Sequence, residues 1–221
     1  MKYKYQLHTH TAPTSKCAKM TPEELIRALR DGGYAGCVMT NHFYHGNTGI
    51  SRELSWEDFV TPYVEDYLEC KREGEKYGID VIFGVEEGVG GLVEILCYGI
   101  TPEMLFCHPE LREYSAETWC RILHNYDVLI IQAHPYRNGG SPLPLEYIDG
   151  IETYNHSHDP SLNDSAEIFA KEHPELILTS GGDTHDYRTV PFGGIETDEP
   201  IRDGRDLVRV LRAGNYRLLK P

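Results

Sequence analysis

Short apolar stretches that finish in histidine, asparagine or a carboxylate recur along this chain, and that repeat restricts its fold more than any other feature. The stretch 4–8 (KYQLH) finishes in His8, with His10 just beyond. Asn41 closes 36–41 (GCVMTN), followed by His42. Glu86 closes 81–86 (VIFGVE) and His134 closes 128–134 (VLIIQAH). Asn155 closes 150–155 (GIETYN), with His156 next. Asp183 and His185 follow 176–181 (LILTSG). A further apolar run, VEILCYG at 93–99, carries Glu94 near its start. Between the runs lie amphipathic segments at 22–33, 56–78, 115–126, 160–173 and 204–214, the pattern of helices with one buried face. Thr21 begins the first of them, with Pro22 at its first position and Glu24 three residues on, which completes a capping box. Gly32, Gly33 and Gly214 are suited to end helices. Strands alternating with helices predict an α/β chain with a parallel sheet. About seven strands in 221 residues suit a small (β/α) barrel better than a doubly wound sheet. In such a barrel the strand ends open on one face, so residues far apart in sequence converge there.

Bulk properties narrow the function. A chain of 221 residues, 40% hydrophobic and 25% charged, supports one sizeable core, and a single domain over 1–221 is expected. No apolar run approaches the roughly 20 residues of a membrane span, and MKYKYQLHTH lacks an apolar leader core. A cytoplasmic enzyme with no membrane partner is the expectation. The formal net charge of −14 disfavours tight binding to long nucleic acid. Three divalent ions would offset up to about six of those charges. Of the six cysteines none forms CxxC, which predicts buried free thiols in a reducing compartment. Neither GxGxxG nor a P-loop pattern occurs.

In extended chain, residues i and i+2 point the same way. His8 with His10, and Asp183 with His185, can therefore each offer two ligands to one cavity. Imidazole nitrogen and carboxylate oxygen form the ligand set of zinc, manganese or iron, and a carboxylate such as Glu86 can bridge two ions. A lone HxH pair or one histidine after a strand is ordinarily a packed side chain. The repetition at successive strand ends is what makes metal binding the better reading. His45, His124 and His173 read as surface or helix residues, His108 as a lesser ligand candidate, and the tyrosines as core and rim packing.

Taken in order, LHTHT, TNH (40–42), GVE, QAHPYR, GIETYN and GGDTH resemble the motifs of the PHP (polymerase and histidinol phosphatase) family over about residues 5–190. The resemblance implies a distorted seven-stranded (β/α)7 TIM-like barrel and two to three divalent metal ions (Zn, Mn or Fe). His8, His10, Glu86 and Asp183 would hold the first ion, Glu86 and His134 the second, and His42 and His185 would help hold the third. Two positions depart from the family pattern. Cys17 stands where an Asp or His is common, and Glu94 where a His is common; both are candidate ligands. The implied activity is hydrolysis of a phosphoester in a small metabolite or nucleotide by a metal-activated hydroxide. His8, His10, Glu86, His134, Asp183 and His185 would form the catalytic set, with His185 or His42 as possible proton donors. Arg137 is the first choice for binding phosphate, followed by Lys16, Lys19 and Arg188, and His156 is a further substrate contact. The alternatives are a metal-dependent hydrolase of non-phosphate substrates, and a metal-binding domain with a structural or regulatory role. Oligomeric state is left open.

Overall fold

The computed structural model describes residues 2–190 and 192–220. In chain order its elements are β1 (Tyr3–Thr9), α1 (Pro22–Asp31), β2 (Gly36–Met39), α2 (Trp56–Tyr77), β3 (Asp80–Gly90), β4 (Val93–Tyr98), α3 (Pro102–Cys107), α4 (Ala116–Leu123), β5 (Leu129–Gln132), β6 (Gly150–Asn155), α5 (Pro160–Glu172), β7 (Ile177–Gly181), β8 (Ile195–Thr197), α6 (Gly204–Ala213) and β9 (Arg217–Leu218). Strands form at all seven expected places, and helices at the five amphipathic segments. The six-residue α3, capped by Thr101, was not anticipated.

The strands form one sheet in the order β7-β6-β5-β4-β3-β2-β1-β8-β9. The expected count of seven is therefore corrected to nine. β8 and β9 have three and two residues, too few to register as a periodic pattern. The sheet is also mixed rather than parallel. β4 runs antiparallel to both β3 and β5, and β8 antiparallel to β1. The reason for the first reversal is local. Only Gly91 and Leu92 separate β3 from β4, and Gly90 and Gly91 take φ of 126° and 60°. A turn this short can make a hairpin but not a parallel crossover.

The sheet curls until it nearly closes. The lower half of β1 pairs with β8, from Tyr3 opposite Thr197 to Tyr5 opposite Ile195. Its upper end is fastened to the segment after β7, where His10 N–H donates to Thr184 O and Thr184 N–H to His8 O, both at 3.0 Å. The β1–β2 register shifts between Gln6 and Thr9. Such a bulge re-aims side chains, here across Leu7 and His8 and just before His10. Beneath the strand ends, Leu7, Val38, Ile82, Leu96, Leu129 and Ile131 pack with Leu207, Val208 and Leu211 of α6. Outside the sheet, Phe83, Val85, Cys97 and Ile130 pack against Phe59, Tyr63 and Trp119. The ligand-bearing ends thus rest on an apolar floor. Cys37, Cys70 and Cys97 are buried as expected, whereas Cys17 and Cys120 are half-buried and Cys107 is exposed. Among the described residues no helix is long and apolar enough to cross a membrane.

The capping box forms as read: the Thr21 side chain accepts from Glu24 N–H, and Glu24 Oε2 accepts from Thr21 N–H at 2.9 Å. Thr21→Ala should lower stability by about 1 kcal/mol. In urea unfolding this appears as a lower midpoint with an unchanged slope.

Candidate metal centre

The upper ends of β1, β2, β3, β5 and β7 deliver their polar residues to one point. His8 and His10 arrive from β1, His42 from beyond β2, Glu86 from β3, His134 from beyond β5, and Asp183 and His185 from beyond β7. β4 contributes from its beginning, because its reversed direction puts Glu94 beside the strand ends rather than at the barrel floor. Around Glu86 lie His8 Nε2 at 3.1 Å, His42 Nδ1 at 2.8 Å, His134 Nε2 at 3.0 Å and His10 Nε2 at 3.4 Å. Asp183 Oδ1 lies 3.5 Å from His8 Nε2 and 3.3 Å from His10 Nε2.

Despite these short distances, His8 Nε2, His10 Nε2, His42 Nδ1, Glu86 Oε2 and both Asp183 oxygens are buried without a hydrogen bond. Buried polar atoms are rarely left so. Nitrogen and oxygen donor atoms crowded together in this way, buried and without hydrogen bonds, fit cations between them. Four sets qualify by distance, each with ligand atoms within 4.8 Å of one another: His8, His10 and Asp183; His8, Glu86 and His134; His42, Glu86 and Glu94; His10, His42 and His185. Nitrogen and oxygen donors of this kind suit divalent zinc, manganese or iron.

Behind the ligand atoms a second layer fixes tautomers. Glu152 accepts from His8 Nδ1–H at 3.1 Å, leaving His8 Nε2 free as a donor atom. The other Glu152 oxygen accepts from the His134 backbone N–H at 3.0 Å and from Asn155 Nδ2 at 2.8 Å. Gly181 makes room for this carboxylate: a Cβ there would lie 2.2 Å from Glu152 Oε1 and 2.7 Å from His8 Cβ. Ser15 donates to Asn41 Oδ1 at 2.8 Å, accepts from His10 Nδ1–H at 3.2 Å and from His42 N–H at 2.9 Å. Asn41 in turn donates to Asp66 at 2.6 Å. Asn41 therefore supports the ligands rather than joining them. Glu152, Ser15 and Asp66 were not singled out from sequence, because an interior-facing carboxylate or hydroxyl carries no local signal of its partner.

All the non-glycine residues with positive φ among those described cluster here: His134 (27°), Tyr136 (76°), Asn138 (53°) and Asp183 (47°). Such conformations cost about 1–3 kcal/mol each and persist where surrounding structure holds them. They turn His134 and Asp183 inward and hold Arg137 over the edge of the centre. Arg137 Nη1 lies 3.2 Å from His134 Nε2, 3.7 Å from Asp183 Oδ2 and 3.8 Å from Glu94 Oε2, with the side chain 38% exposed.

Other expectations fare differently. His156 turns away and stacks on Phe192, centroids 4.0 Å apart, with Tyr154 OH at 3.0 Å from its Nδ1. His158 instead stacks on His134 at 5.1 Å, with a buried, unpartnered Nε2. Lys19 and Arg188 pair with Asp186, and Lys16 is exposed. His108 bonds Tyr126 and Glu110, and His124 bonds Cys120 and Asp149, so neither serves this centre. His45 bonds Arg112 O and helps line the mouth. That mouth is a cavity of about 340 Å³ bounded also by Cys17, Asn47, Leu92, Glu94, Tyr114, Arg137 and His185. Larger clefts of about 450 and 650 Å³ lie elsewhere, without the ligand cluster.

Electrostatics follow from the crowding. Burial opposes ionisation of Glu86, but the imidazoles of His8 and His42 outweigh it and hold Glu86 far below the usual carboxylate range. Asp183 is likewise held low against its burial, by His8 and His10. Burial disfavours the charged form of His8, yet Glu86, Asp183 and Glu152 push it well above an ordinary imidazole. His42, His134 and His185 are also raised, against their burial, by Glu86, Cys17 and Asp183. His10 goes down through burial and its neighbours His185 and His42. Burial of Cys17 is overcome by hydrogen bonds from His185 and His42, which bring the thiol down to about 6. Burial and His134 lower His158 to about 4.

No family model and no curated protein matches the chain. Solved structures do. A two-domain protein from Bacteroides vulgatus containing a predicted PHP-like metal-dependent phosphoesterase aligns with all of this chain at 13% identity and TM-score 0.71. The chain spans 65% of that protein's length. PsfC from Pseudomonas syringae aligns at 14% identity over 100% of this chain and 92% of its own, with TM-score 0.72. An amidohydrolase from Chromobacterium violaceum, solved with sulfate and no metal, aligns at 17% identity over 99% and 98%, with TM-score 0.60. The chain therefore shares the fold of a PHP-like metal-dependent phosphoesterase, the family that its motifs resemble.

Two measurements test the centre. Glu152→Gln should weaken metal binding about 10–100-fold in competition with a chelator, because His8 loses the carboxylate that orients it. Ligand imidazoles bind metal only when deprotonated. With His8, His42, His134 and His185 raised above the ordinary value, metal loading should release more protons at pH 7 than at pH 9, and affinity should climb with pH. Calorimetry in buffers of different ionisation enthalpy reads the difference; equal release at both pH values would contradict the assignment.

Proposed function

We propose that this chain is a metal-dependent phosphoesterase acting on small phosphorylated molecules. The observation that carries the reading is the meeting of unpartnered, buried ligand atoms with one guanidinium, Arg137, at the mouth of a cavity of about 340 Å³. His8, His10, Glu86 and Asp183 would hold one ion; Glu86, His134 and Glu94 a second; His42 and His185 would contribute to a third, with Cys17 as a candidate ligand. When bound, such ions supply hydroxide from water near neutral pH and neutralise charge on a phosphoryl group.

The chain's own residues do the rest. Arg137 offers planar, paired N–H donors that match two phosphoryl oxygens. His158, neutral at physiological pH, adds an uncharged hydrogen-bonding group beside His134. His185 has both ring nitrogens engaged, Nδ1 with Asp183 O at 2.8 Å and Nε2 with Cys17 Sγ at 3.0 Å, so it is suited to holding position rather than shuttling protons. Burial and neighbouring Glu86 push Glu94 up, against the imidazoles of His134 and His42. Lys19 and Arg188 are taken up by Asp186. With the net charge of −14, that supports a small substrate over a long polynucleotide.

The Chromobacterium structure's description as an amidohydrolase favours a second reading, hydrolysis of an amide or ester. One screen separates the two. Manganese- or zinc-loaded protein is offered phosphomonoesters, phosphodiesters and carboxylic esters and amides. Metal-dependent phosphate release is expected. Turnover of acyl substrates alone would replace the phosphoesterase reading with the second. Arg137→Ala should lower kcat/KM for the best phosphomonoester by about 10–100-fold, the loss expected for one charge-assisted contact. An unchanged value would remove Arg137 from the substrate site.

A further inference from the structure

We propose that the centre sorts its ions, with a thiolate–imidazole position formed by Cys17, His42 and His185 taking zinc and an oxygen-rich position formed by Glu86, Glu94 and His134 taking a harder ion such as manganese. The inference rests on the metal centre proposed above and adds which ion goes where.

The two ends of the cluster differ in donor chemistry. At one end Cys17 Sγ lies 3.0 Å from His185 Nε2. The rings of His42 and His185 flank His10, with centroids 4.5 and 4.4 Å from it, and the ligand atoms of all three histidines lie within 4.8 Å of one another. His10, a member of this set, has its Nε2 buried and unpartnered, which marks the spot as a ligand site independently of the thiol, while His42 Nδ1 lies 2.8 Å from Glu86 Oε2, toward the other end. The loop carrying Cys17 is pinned on both sides: Lys16 N–H donates to Asn47 O at 2.9 Å, and Lys19 N–H to His185 O at 2.8 Å. Cys17 is therefore placed by the fold. At the other end, Glu86 Oε1 lies 3.0 Å and Glu94 Oε2 3.5 Å from His134 Nε2, and Glu94 Oε1 lies 3.6 Å from His42 Nδ1. Two carboxylates and one imidazole suit manganese. Thiolate with imidazole suits zinc, and manganese competes poorly for sulfur.

Cobalt(II) reports the difference directly, since cobalt bound to thiolate shows a sulfur-to-metal charge-transfer band in the near ultraviolet and cobalt bound to nitrogen and oxygen does not. Metal-free full-length protein is titrated with cobalt, then chased with zinc or with manganese. The expected result is a near-ultraviolet band that saturates at about one cobalt per chain, is abolished by zinc and survives manganese at the same concentration. Cys17→Ser and Cys17→Asp should lack the band; Cys17→Asp, which keeps a ligating oxygen, should still bind as much cobalt as the native chain. Full cobalt loading without the band, persistence of the band in Cys17→Ser, or loss of the band to manganese would each overturn the sorting while leaving the metal centre intact. A folded native chain that binds no cobalt and no zinc would sink both.

Discussion

A carboxylate buried completely is among the costliest groups a protein can hold, and Glu86 is buried to 0% exposure. Its tolerance here depends on four imidazoles at 2.8–3.4 Å. Those imidazoles come from β1, β2 and β5, so each of these strands must end at the same height. The backbone enforces that height beside Glu86: Phe43 N–H donates to Glu86 O at 2.8 Å, and Glu86 N–H to Asn41 O at 3.1 Å. The β2–β3 ladder is thereby carried past the end of β2 to bring His42 alongside. The curl of the sheet then brings Asp183 to the same point from β7. An arrangement of like lone pairs around one buried charge is poor engineering for stability alone, and it makes sense as a cradle for cations.

Much of this was legible because strand ends are a place where sequence and space agree. A run of apolar residues followed by His, Asp or Glu marks both the strand and the edge of the core. His8, His10, His42, Glu86, His134, Asp183 and His185 all stand where that rule puts them. The direction of β4 was not legible, since VEILCYG reads the same for either orientation and only the geometry of Gly90 and Gly91 decides it. His156, expected beside the site as the residue after Asn155, also lies elsewhere. The chain turns after Asn155, where His156 N–H donates to Gly181 O at 3.1 Å, and parity no longer predicts facing. His156 consequently leaves for Phe192, while His158 takes the inner place. Glu152 could not be assigned either, because its role depends on His8, which is distant in sequence and meets it only after the barrel curls.

The backbone at the centre is held in conformations that side chains other than glycine rarely take, at His134, Tyr136, Asn138 and Asp183. The surrounding bonds explain why they persist. His134 N–H is held by Glu152, and Arg137 N–H by His134 O at 3.2 Å. Ser157 Oγ lies 3.1 Å from both Gly182 O and Asp183 O. The same short segments therefore carry both the strain and the chemistry.

The hairpin joining β3 to β4 has a wider meaning for how such a centre can diversify. Its ladder is pinned beside the ligand cluster, with Glu86 opposite Leu96 and Gly88 opposite Glu94, while its tip at Gly91 and Leu92 forms part of the pocket wall. Ligand placement and wall shape are thus set by different parts of one element. The tip can lengthen, shorten or change character without disturbing the register that positions Glu86 and Glu94. It is a natural graft point, where the range of molecules admitted can drift while the cluster of histidines and carboxylates stays constant.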